Sequence, residues 1–85
     1  MARIIDTQYK NLIGHNLRRL RKEKGLSQQD VSDKLELLAI YVCRGSISRI
    51  EDRSRTVTDI ELYGLSTVLN VPMDKLFSPE PIARD

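Results

Sequence analysis

Three polar side chains in the middle of the chain have the types and the spacing to form hydrogen bonds along one face of a helix. Arg44, Ser48 and Arg49 stand at positions i, i+4 and i+5, so a helix would bring them to the same side. An arginine fork can donate two hydrogen bonds to O6 and N7 of guanine, and a serine hydroxyl can donate or accept. Gly45 and Ser46 are small enough to let such a helix approach closely. The spacing alone is equally compatible with a solvated basic face.

Two helices are predicted before this segment. The first spans residues 8–24 and is followed by Gly25, which suits a left-handed C-terminal cap. The second begins at Ser27, a favourable N-cap with Asp30 three residues on. Each helix has an apolar stripe with i, i+4, i+7 spacing, namely Ile13, Leu17 and Leu20 in the first and Val31, Leu35 and Leu38 in the second.

Three short helices account for the rest of the pattern. The third spans residues 44–52, with Ile47 and Ile50 facing inward. Thr58 and Glu61 form a T-x-x-E capping box that starts the fourth, and Asn70 is suited to end it. A fifth runs through residues 72–77. Gly64, in the middle of the fourth helix, is expected to permit close packing.

The fold class predicted from these elements is an all-α, five-helix domain with a helix-turn-helix. The domain is assigned to residues 8–77, and residues 1–7 and 78–85 are expected to be short flexible ends. Aromatic residues make up only 5% of the chain and no strand pattern is present, which favours helices packed around one core.

Charge and reactive side chains limit the possible functions. Residues 1–55 carry 12 Lys and Arg against 7 Asp and Glu, a net +5, whereas residues 56–85 carry 2 against 5, a net −3. A basic front half fits a polyanionic partner. Cys43 and His15 are the only thiol and imidazole, 28 positions apart, and no catalytic, metal or nucleotide fingerprint is present. We therefore expect neither an enzyme nor a metal or cofactor site. The single cysteine and the lack of a membrane-length apolar run favour a cytoplasmic protein.

Several segments, taken in order, resemble the lambda-repressor-like helix-turn-helix family, also called the xenobiotic-response-element type. The resemblance covers residues 13–77, about three quarters of the chain. The segments are I-G-x-x-L-R-x-L-R-K-E-K-G-L-S-Q at 13–28, L-S-Q-Q-D-V at 26–31, S-I-S-R-I-E at 46–51, D-I-E-L at 59–62 and D-K-L-F at 74–77.

The resemblance assigns roles to individual residues. It implies that the third helix enters the DNA major groove and that Arg21 and Glu51 form an ion pair that orients it. The implied base contacts are Arg44, Gly45, Ser48 and Arg49. The implied phosphate contacts are Gln28, Gln29, Ser46, Arg53, Ser54 and Arg55.

This chain departs from the commonest family pattern between the second and third helices. That pattern has a glycine directly after the residue matching Leu35, whereas residues 36–40 here add about five residues and Tyr41 falls at the glycine position. Either helix two runs one turn further or the turn bulges. Cys43 also stands where a serine or threonine cap is usual, so Ser46 is an alternative first cap.

The expected function is a sequence-specific DNA-binding transcriptional regulator, more specifically a repressor. The expected partners are double-stranded DNA with a palindromic operator and a second copy of the chain, because small domains of this family commonly pair on DNA. Surplus apolar residues for a dimer interface are Tyr63, Val68, Met73 and Phe77. The alternative is an antitoxin-like or accessory protein-interaction module with the same fold.

Overall fold

The structure, a computed structural model of the chain, describes residues 8–77. This part of the chain contains five helices and no strand, which confirms the all-α prediction. The helices are α1 (Gly14–Glu23), α2 (Gln28–Glu36), α3 (Arg44–Glu51), α4 (Asp59–Leu69) and α5 (Met73–Leu76). The ends predicted to be flexible, 1–7 and 78–85, lie outside the described residues.

The core forms where the apolar stripes of all five helices meet. Its buried members are Ile13, Leu17, Leu20, Val31, Leu35, Val42, Ile47, Ile50, Leu65, Leu69 and Leu76. Full burial of one such side chain contributes about 1.5–3 kcal/mol to folding. Ile47 and Ile50 attach α3 to this core by one face only, so the opposite face of α3 is presented to solvent.

Both predicted capping boxes are present. The Ser27 hydroxyl accepts a hydrogen bond from the Asp30 backbone N–H, and the Asp30 carboxylate accepts one from the Ser27 backbone N–H. The bond from Ser27 N–H lowers the pKa of Asp30, because it stabilises the charged carboxylate. Thr58 and Glu61 form the same reciprocal pair at the start of α4. The starts of α2 and α4 are therefore fixed by local sequence.

The predicted start of α1 is wrong by six residues, because the helix begins at Gly14 rather than at residue 8. The Asn11 side chain accepts hydrogen bonds from the backbone N–H groups of Ile13 and Gly14, at 3.0 and 2.8 Å. Its amide donates to the carbonyl oxygens of Ile50 and Arg55, at 3.1 and 2.8 Å. Asn11 thus ties this segment to the end of α3 and to the loop that follows it, and α1 does not extend back to residue 8.

Two glycines allow close approach between elements. A Cβ at Gly14 would lie 2.1 Å from the carbonyl oxygen of Ile50, so the start of α1 lies directly against the end of α3. A Cβ at Gly64 would lie 2.6 Å from the Ile40 side chain and 2.9 Å from that of Leu35. The second contact confirms the prediction that Gly64 permits close packing.

Four helices are followed by a residue in the left-handed conformation. At each of them, the N–H of that residue and the N–H of the next residue donate to carbonyl oxygens three and five positions earlier. Those residues are Gly25, Ala39, Arg53 and Asn70, with φ values of 72°, 62°, 66° and 56°. After α2, the Ala39 N–H donates to the Glu36 carbonyl and the Ile40 N–H to the Leu35 carbonyl. Glycine and asparagine adopt this conformation readily, whereas an alanine there costs about 1–2 kcal/mol.

Between α2 and α3 this chain differs from the commonest family pattern by a longer connection and not by a longer helix. Helix α2 ends at Glu36, and residues 37–43 lead to α3. Ile40 and Val42 turn towards the core, while Leu37 and Tyr41 remain 85% and 76% exposed. A hydrogen bond of 2.7 Å from the Ser32 hydroxyl to the Val42 carbonyl holds the connection against α2. The start of α3 is therefore positioned by the core and by α2.

Candidate nucleic-acid interface

Helix α3 is amphipathic, with its polar side chains on the solvent side. Ile47 and Ile50 are fully buried, whereas Arg44, Gly45, Ser48 and Arg49 are all exposed. The structure therefore brings the four residues predicted to contact bases onto the accessible part of one helix. Two arginine forks and a hydroxyl supply hydrogen-bond donors of the kind that read base edges.

The first turn of α3 is ordered by side chains rather than by a cap. The N-cap residue is Cys43, in extended conformation and without a side-chain capping hydrogen bond, so Ser46 is not the first cap. Ser46 is half-buried; its Oγ accepts from Arg49 Nη2 at 3.2 Å and lies 3.5 Å from Cys43 Sγ. The Ser46 hydroxyl lowers the pKa of the exposed Cys43 thiol, because it stabilises the thiolate. Ser46 thus restrains Arg49 at the surface.

The predicted phosphate contacts on α2 lie in its first turn. Gln28 is half-buried, and its amide donates to Glu51 Oε1 at 3.0 Å. Gln29 is exposed and donates to Asp33 Oδ1 at 2.9 Å. The backbone N–H groups at a helix start favour an anion, and these glutamines stand beside that start.

Arg21 and Glu51 form a buried, bidentate pair between α1 and the end of α3. Arg21 Nε donates to Glu51 Oε2 at 2.6 Å and Nη2 donates to Oε1 at 3.1 Å. The remaining terminal nitrogen of Arg21 donates to the Leu26 carbonyl at 2.8 Å. Since Gln28 also donates to Glu51, a single carboxylate connects the first three helices.

The loop after α3 contains the other predicted phosphate contacts, in three different environments. Arg53 stacks over the Tyr9 ring, with 3.8 Å between the guanidinium carbon and the ring centroid. Ser54 is exposed, and its hydroxyl donates to Asp52 Oδ1 at 2.6 Å. Arg55 donates from both terminal nitrogens to the two carboxylate oxygens of Glu61, each at 3.0 Å. Of these three residues Ser54 is exposed, whereas Arg53 and Arg55 are half-buried.

Sequence reasoning missed the contacts that hold this loop in place. The Lys10 N–H donates to the Arg53 carbonyl at 2.9 Å, next to the Tyr9 stack and the Asn11 bonds already described. No periodic pattern signals these contacts, because residues 8–13 lie outside any helix. The Arg55–Glu61 pair had a weak signal, since the capping-box carboxylate has a second oxygen and stands six positions after an arginine.

Among residues 8–77, no three His, Cys, Asp or Glu side chains come together in a way that would hold a metal ion. None of the helices in that range has the length and apolar character needed to cross a bilayer.

Known proteins are similar to this chain in sequence and in fold. A helix-turn-helix family model matches residues 17–76. The uncharacterized HTH-type transcriptional regulator y4dJ of Sinorhizobium fredii is 36% identical over 70 residues, which cover 82% of this chain and 84% of that protein. The solved structure of the restriction-modification controller protein C.AhdI from Aeromonas hydrophila has a TM-score of 0.71 at 28% identity, over 85% of this chain and 100% of that chain.

A second solved structure agrees in fold. The hypothetical transcription factor NHTF from Neisseria has a TM-score of 0.71 at 21% identity, over 93% of this chain and 86% of that chain. The matched proteins are transcriptional regulators and not enzymes, in agreement with the prediction from sequence. The chain belongs to the lambda-repressor-like helix-turn-helix family of DNA-binding transcriptional regulators.

Proposed function

We propose that this protein is a sequence-specific repressor that inserts α3 into the major groove of a palindromic operator. The observation that carries the proposal is the division of α3 into a fully buried face, Ile47 and Ile50, and an exposed face with Arg44, Ser48 and Arg49. A major groove admits one α-helix, and a helix held by its inner face can enter it without unfolding the domain. A repressor of this kind acts in the cytoplasm, where its operator lies.

The proposed base contacts are Arg44, Gly45, Ser48 and Arg49. Each arginine can form a bidentate pair with guanine, and Gly45 adds no side chain that would keep the helix away from the bases. Arg49 is already restrained by Ser46, so less side-chain entropy is lost when its fork meets a base. These residues therefore determine sequence preference in the proposal.

The proposed phosphate contacts lie in the first turn of α2, in the first turn of α3 and in the loop that follows α3. They are Gln28, Gln29, Ser46, Arg53, Ser54 and Arg55. Gln28 and Gln29 belong to the first turn of α2, and residues 53–55 follow the end of α3. Phosphate contacts fix the position of a protein on the duplex without reading its sequence. Binding is consequently expected to weaken steeply with salt, by roughly 10³-fold between 50 and 200 mM for about six phosphates.

The proposed repressor is a two-fold dimer, since a palindromic site mirrors a two-fold axis. Of the residues considered for its interface, Tyr63, Met73 and Phe77 are exposed and Val68 is half-buried. Ile60 adds another exposed apolar side chain on α4. Ile60, Tyr63 and Val68 lie on α4, Met73 lies on α5 and Phe77 directly follows it. An interface formed by these residues leaves the solvent face of α3 free for DNA. Sedimentation of the protein with and without its operator should show a dimer on DNA, and a monomer in both states contradicts this part of the proposal.

In-vitro selection of bound duplexes tests the function directly. The wild type should select a palindromic motif. Arg49→Ala should cost about 1–3 kcal/mol on that motif and relax the preference at one position, whereas Arg55→Ala should weaken all sequences nearly alike. Lys34→Ala, on the exposed side of α2, is the matched control for loss of one charge and should select the wild-type motif. An unchanged motif for both Arg44→Ala and Arg49→Ala would rule out α3 as the reading helix.

Cys43 provides a second, independent test. The thiol is exposed and directly precedes α3, so DNA seated in the proposed position should cover it. Iodoacetamide should therefore alkylate Cys43 several-fold more slowly when operator DNA is bound. Equal rates with and without saturating operator would place the DNA elsewhere on the protein.

A further inference from the structure

A cleft of about 530 Å³ opens beside the proposed DNA surface, between α1 and the segment from α3 to the following loop. One wall is formed by α1, with His15, Arg18 and Lys22 beside Arg21 of the buried ion pair. The opposite wall includes Gln28, Ser48 and Arg53. Gln28 and Ser48 belong to the proposed DNA contacts, so the cleft is continuous with that surface. His15, Arg18 and Lys22 have no assigned role so far.

The α1 wall presents a row of cationic and titratable side chains. His15, Arg18 and Lys22 are spaced i, i+3 and i+7, which places them along one face of the helix. All three are exposed. The side chains that pack inward from α1, Leu17 and Leu20, lie on the other face. The row is therefore available to a ligand without any change in the core.

The acids of the cleft are already engaged within the protein. Glu51 accepts hydrogen bonds from Arg21 and from Gln28. Asp52 accepts from the backbone N–H and the hydroxyl of Ser54, at 3.0 and 2.6 Å. The charge that remains to act on a ligand in the cleft is positive.

One polar group in the cleft wall has no hydrogen-bond partner among residues 8–77. Arg53 Nε is buried, and within residues 8–77 no hydrogen-bond acceptor reaches it. Its guanidinium is held over the Tyr9 ring and its backbone carbonyl accepts from Lys10, so the group cannot easily turn away. Arg53 therefore adds a fixed positive charge to the cleft wall opposite Arg18 and Lys22.

We propose that this cleft holds backbone phosphates of the DNA strand that runs past α3, with Arg18 and Lys22 of α1 as direct phosphate contacts. This inference rests on the proposed function and extends its footprint to α1. A phosphodiester strand fits because it supplies acceptor oxygens and negative charge. The cleft is also lined by Gln28, a proposed phosphate contact, and by Ser48, a proposed base contact. A free phosphate has the same chemistry, and the experiment separates the two.

The test compares Arg18→Ala/Lys22→Ala with the wild type on the selected operator and on an unrelated duplex, as a function of salt. Each lost phosphate contact should reduce the slope of log K against log salt by about 0.9, so the double variant should lose about 1.8. The same relation predicts roughly fivefold weaker binding per contact at about 0.15 M salt, on both duplexes. Because both side chains are exposed, thermal unfolding should be unchanged.

The matched control is Lys24→Ala/Lys34→Ala, which removes the same charge from exposed positions that do not line the cleft. It should change affinity less than twofold and leave the slope intact. An Arg18→Ala/Lys22→Ala variant with the wild-type slope, in a protein that still selects its operator, overturns the cleft proposal and leaves the proposed function standing. A wild type that selects no motif overturns the proposed function, and the slope on the unrelated duplex still decides whether the cleft holds phosphates.

Inorganic phosphate is the probe that tests whether the cleft binds a free phosphate ion instead of the DNA backbone. The wild type is titrated with phosphate while the ring resonances of His15 are followed by NMR. If phosphate at millimolar concentration shifts these resonances and the double variant keeps the wild-type slope on DNA, the cleft holds a free anion and the proposal is wrong. A shift that saturating duplex prevents, together with the reduced slope, supports it.

Discussion

Two arginine–glutamate pairs, Arg21–Glu51 and Arg55–Glu61, have the same bidentate geometry but differ in how deeply they are buried. The Arg21 and Glu51 side chains are 9% and 5% exposed and link α1 to the end of α3. The Arg55 and Glu61 side chains are 28% and 14% exposed and link a loop to the first turn of α4. Each carboxylate accepts a third hydrogen bond, from the Gln28 side chain in the first case and from the Thr58 backbone in the second.

The difference shows how the same chemistry serves two purposes. Glu51 joins three helices that are distant in sequence, and loss of its arginine would leave a charge inside the protein. The capping box between Glu61 and Thr58 does not involve Arg55. If Arg55 is lost, water can replace its hydrogen bonds to the partly exposed Glu61 carboxylate. Breaking a buried pair costs about 3–5 kcal/mol, whereas exposed pairs contribute about 0–1 kcal/mol. The Arg21–Glu51 pair should therefore contribute much more to the stability of the folded domain than the Arg55–Glu61 pair.

The largest expected effect is that of Arg21→Met. Glu51 would remain buried without its cationic partner, so the free energy of unfolding should fall by about 3–5 kcal/mol. Urea denaturation followed by circular dichroism measures the loss. Arg19→Met is the matched control on the same helix, because Arg19 is exposed and pairs with Glu23 at 3.2 Å; it should cost less than about 1 kcal/mol. Equal losses for the two variants would show that burial does not distinguish them.

A smaller effect is expected when both partners of the buried pair are replaced. The variant Arg21→Met/Glu51→Leu removes both charges, and apolar replacements of buried pairs are often neutral. About half or more of the stability lost in Arg21→Met should return, although the Gln28 amide and the Leu26 carbonyl lose partners. A double variant that is no more stable than the single one would mean that the pair is needed for more than charge compensation.

For the second pair, Arg55→Ala should lower stability by about 1 kcal/mol. The effect is modest because the arginine is partly exposed and the capping box remains. Arg55→Lys retains the charge without the planar fork and should recover part of the loss. Thermal denaturation of both variants beside the wild type measures the loss of stability and its partial recovery. A loss as large as that of Arg21→Met would make the two pairs equivalent.

The smallest effect is a pH dependence that belongs to Glu61. The hydrogen bond from Arg55 lowers the pKa of Glu61 below its ordinary value near 4.5, because it stabilises the charged carboxylate. The unfolded chain then binds the proton more readily than the native protein, so this contribution is present above the ordinary pKa and is lost as the pH falls through the folded pKa. The stability difference between wild type and Glu61→Gln should therefore shrink between about pH 5 and pH 3. A difference that stays constant over that range contradicts the assignment.

The sequence predicted those parts of the molecule that depend on neighbours along the chain. The apolar stripes identified the inward face of α3, and Ser27 with Asp30 and Thr58 with Glu61 marked two helix starts. Contacts between distant segments could not be found in this way. Asn11 ends the N-terminal extension of α1 by bonding to carbonyls 39 and 44 positions away.

The candidate site divides in the same manner. Spacing was enough to place Arg44, Ser48 and Arg49 together, because one helix carries them all. It could not show which way a loop arginine turns, and Arg55 faces Glu61 in the structure. The left-handed residue that ends α2 was likewise hidden, since Ala39 occupies a conformation for which its residue type gives no signal.

Gly14 has a consequence for how a protein of this design can change over time. Every substitution there adds a Cβ whose nearest neighbour is the carbonyl oxygen of Ile50, a backbone atom that no rotamer change can move. The exposed residues of α3 face solvent and are free to vary without disturbing the core. A mutational scan scored for folding should therefore tolerate many residues at positions 44, 48 and 49 and almost none at position 14. New DNA preferences could then evolve on the outer face of α3, while Gly14 keeps the distance between α1 and α3 unchanged.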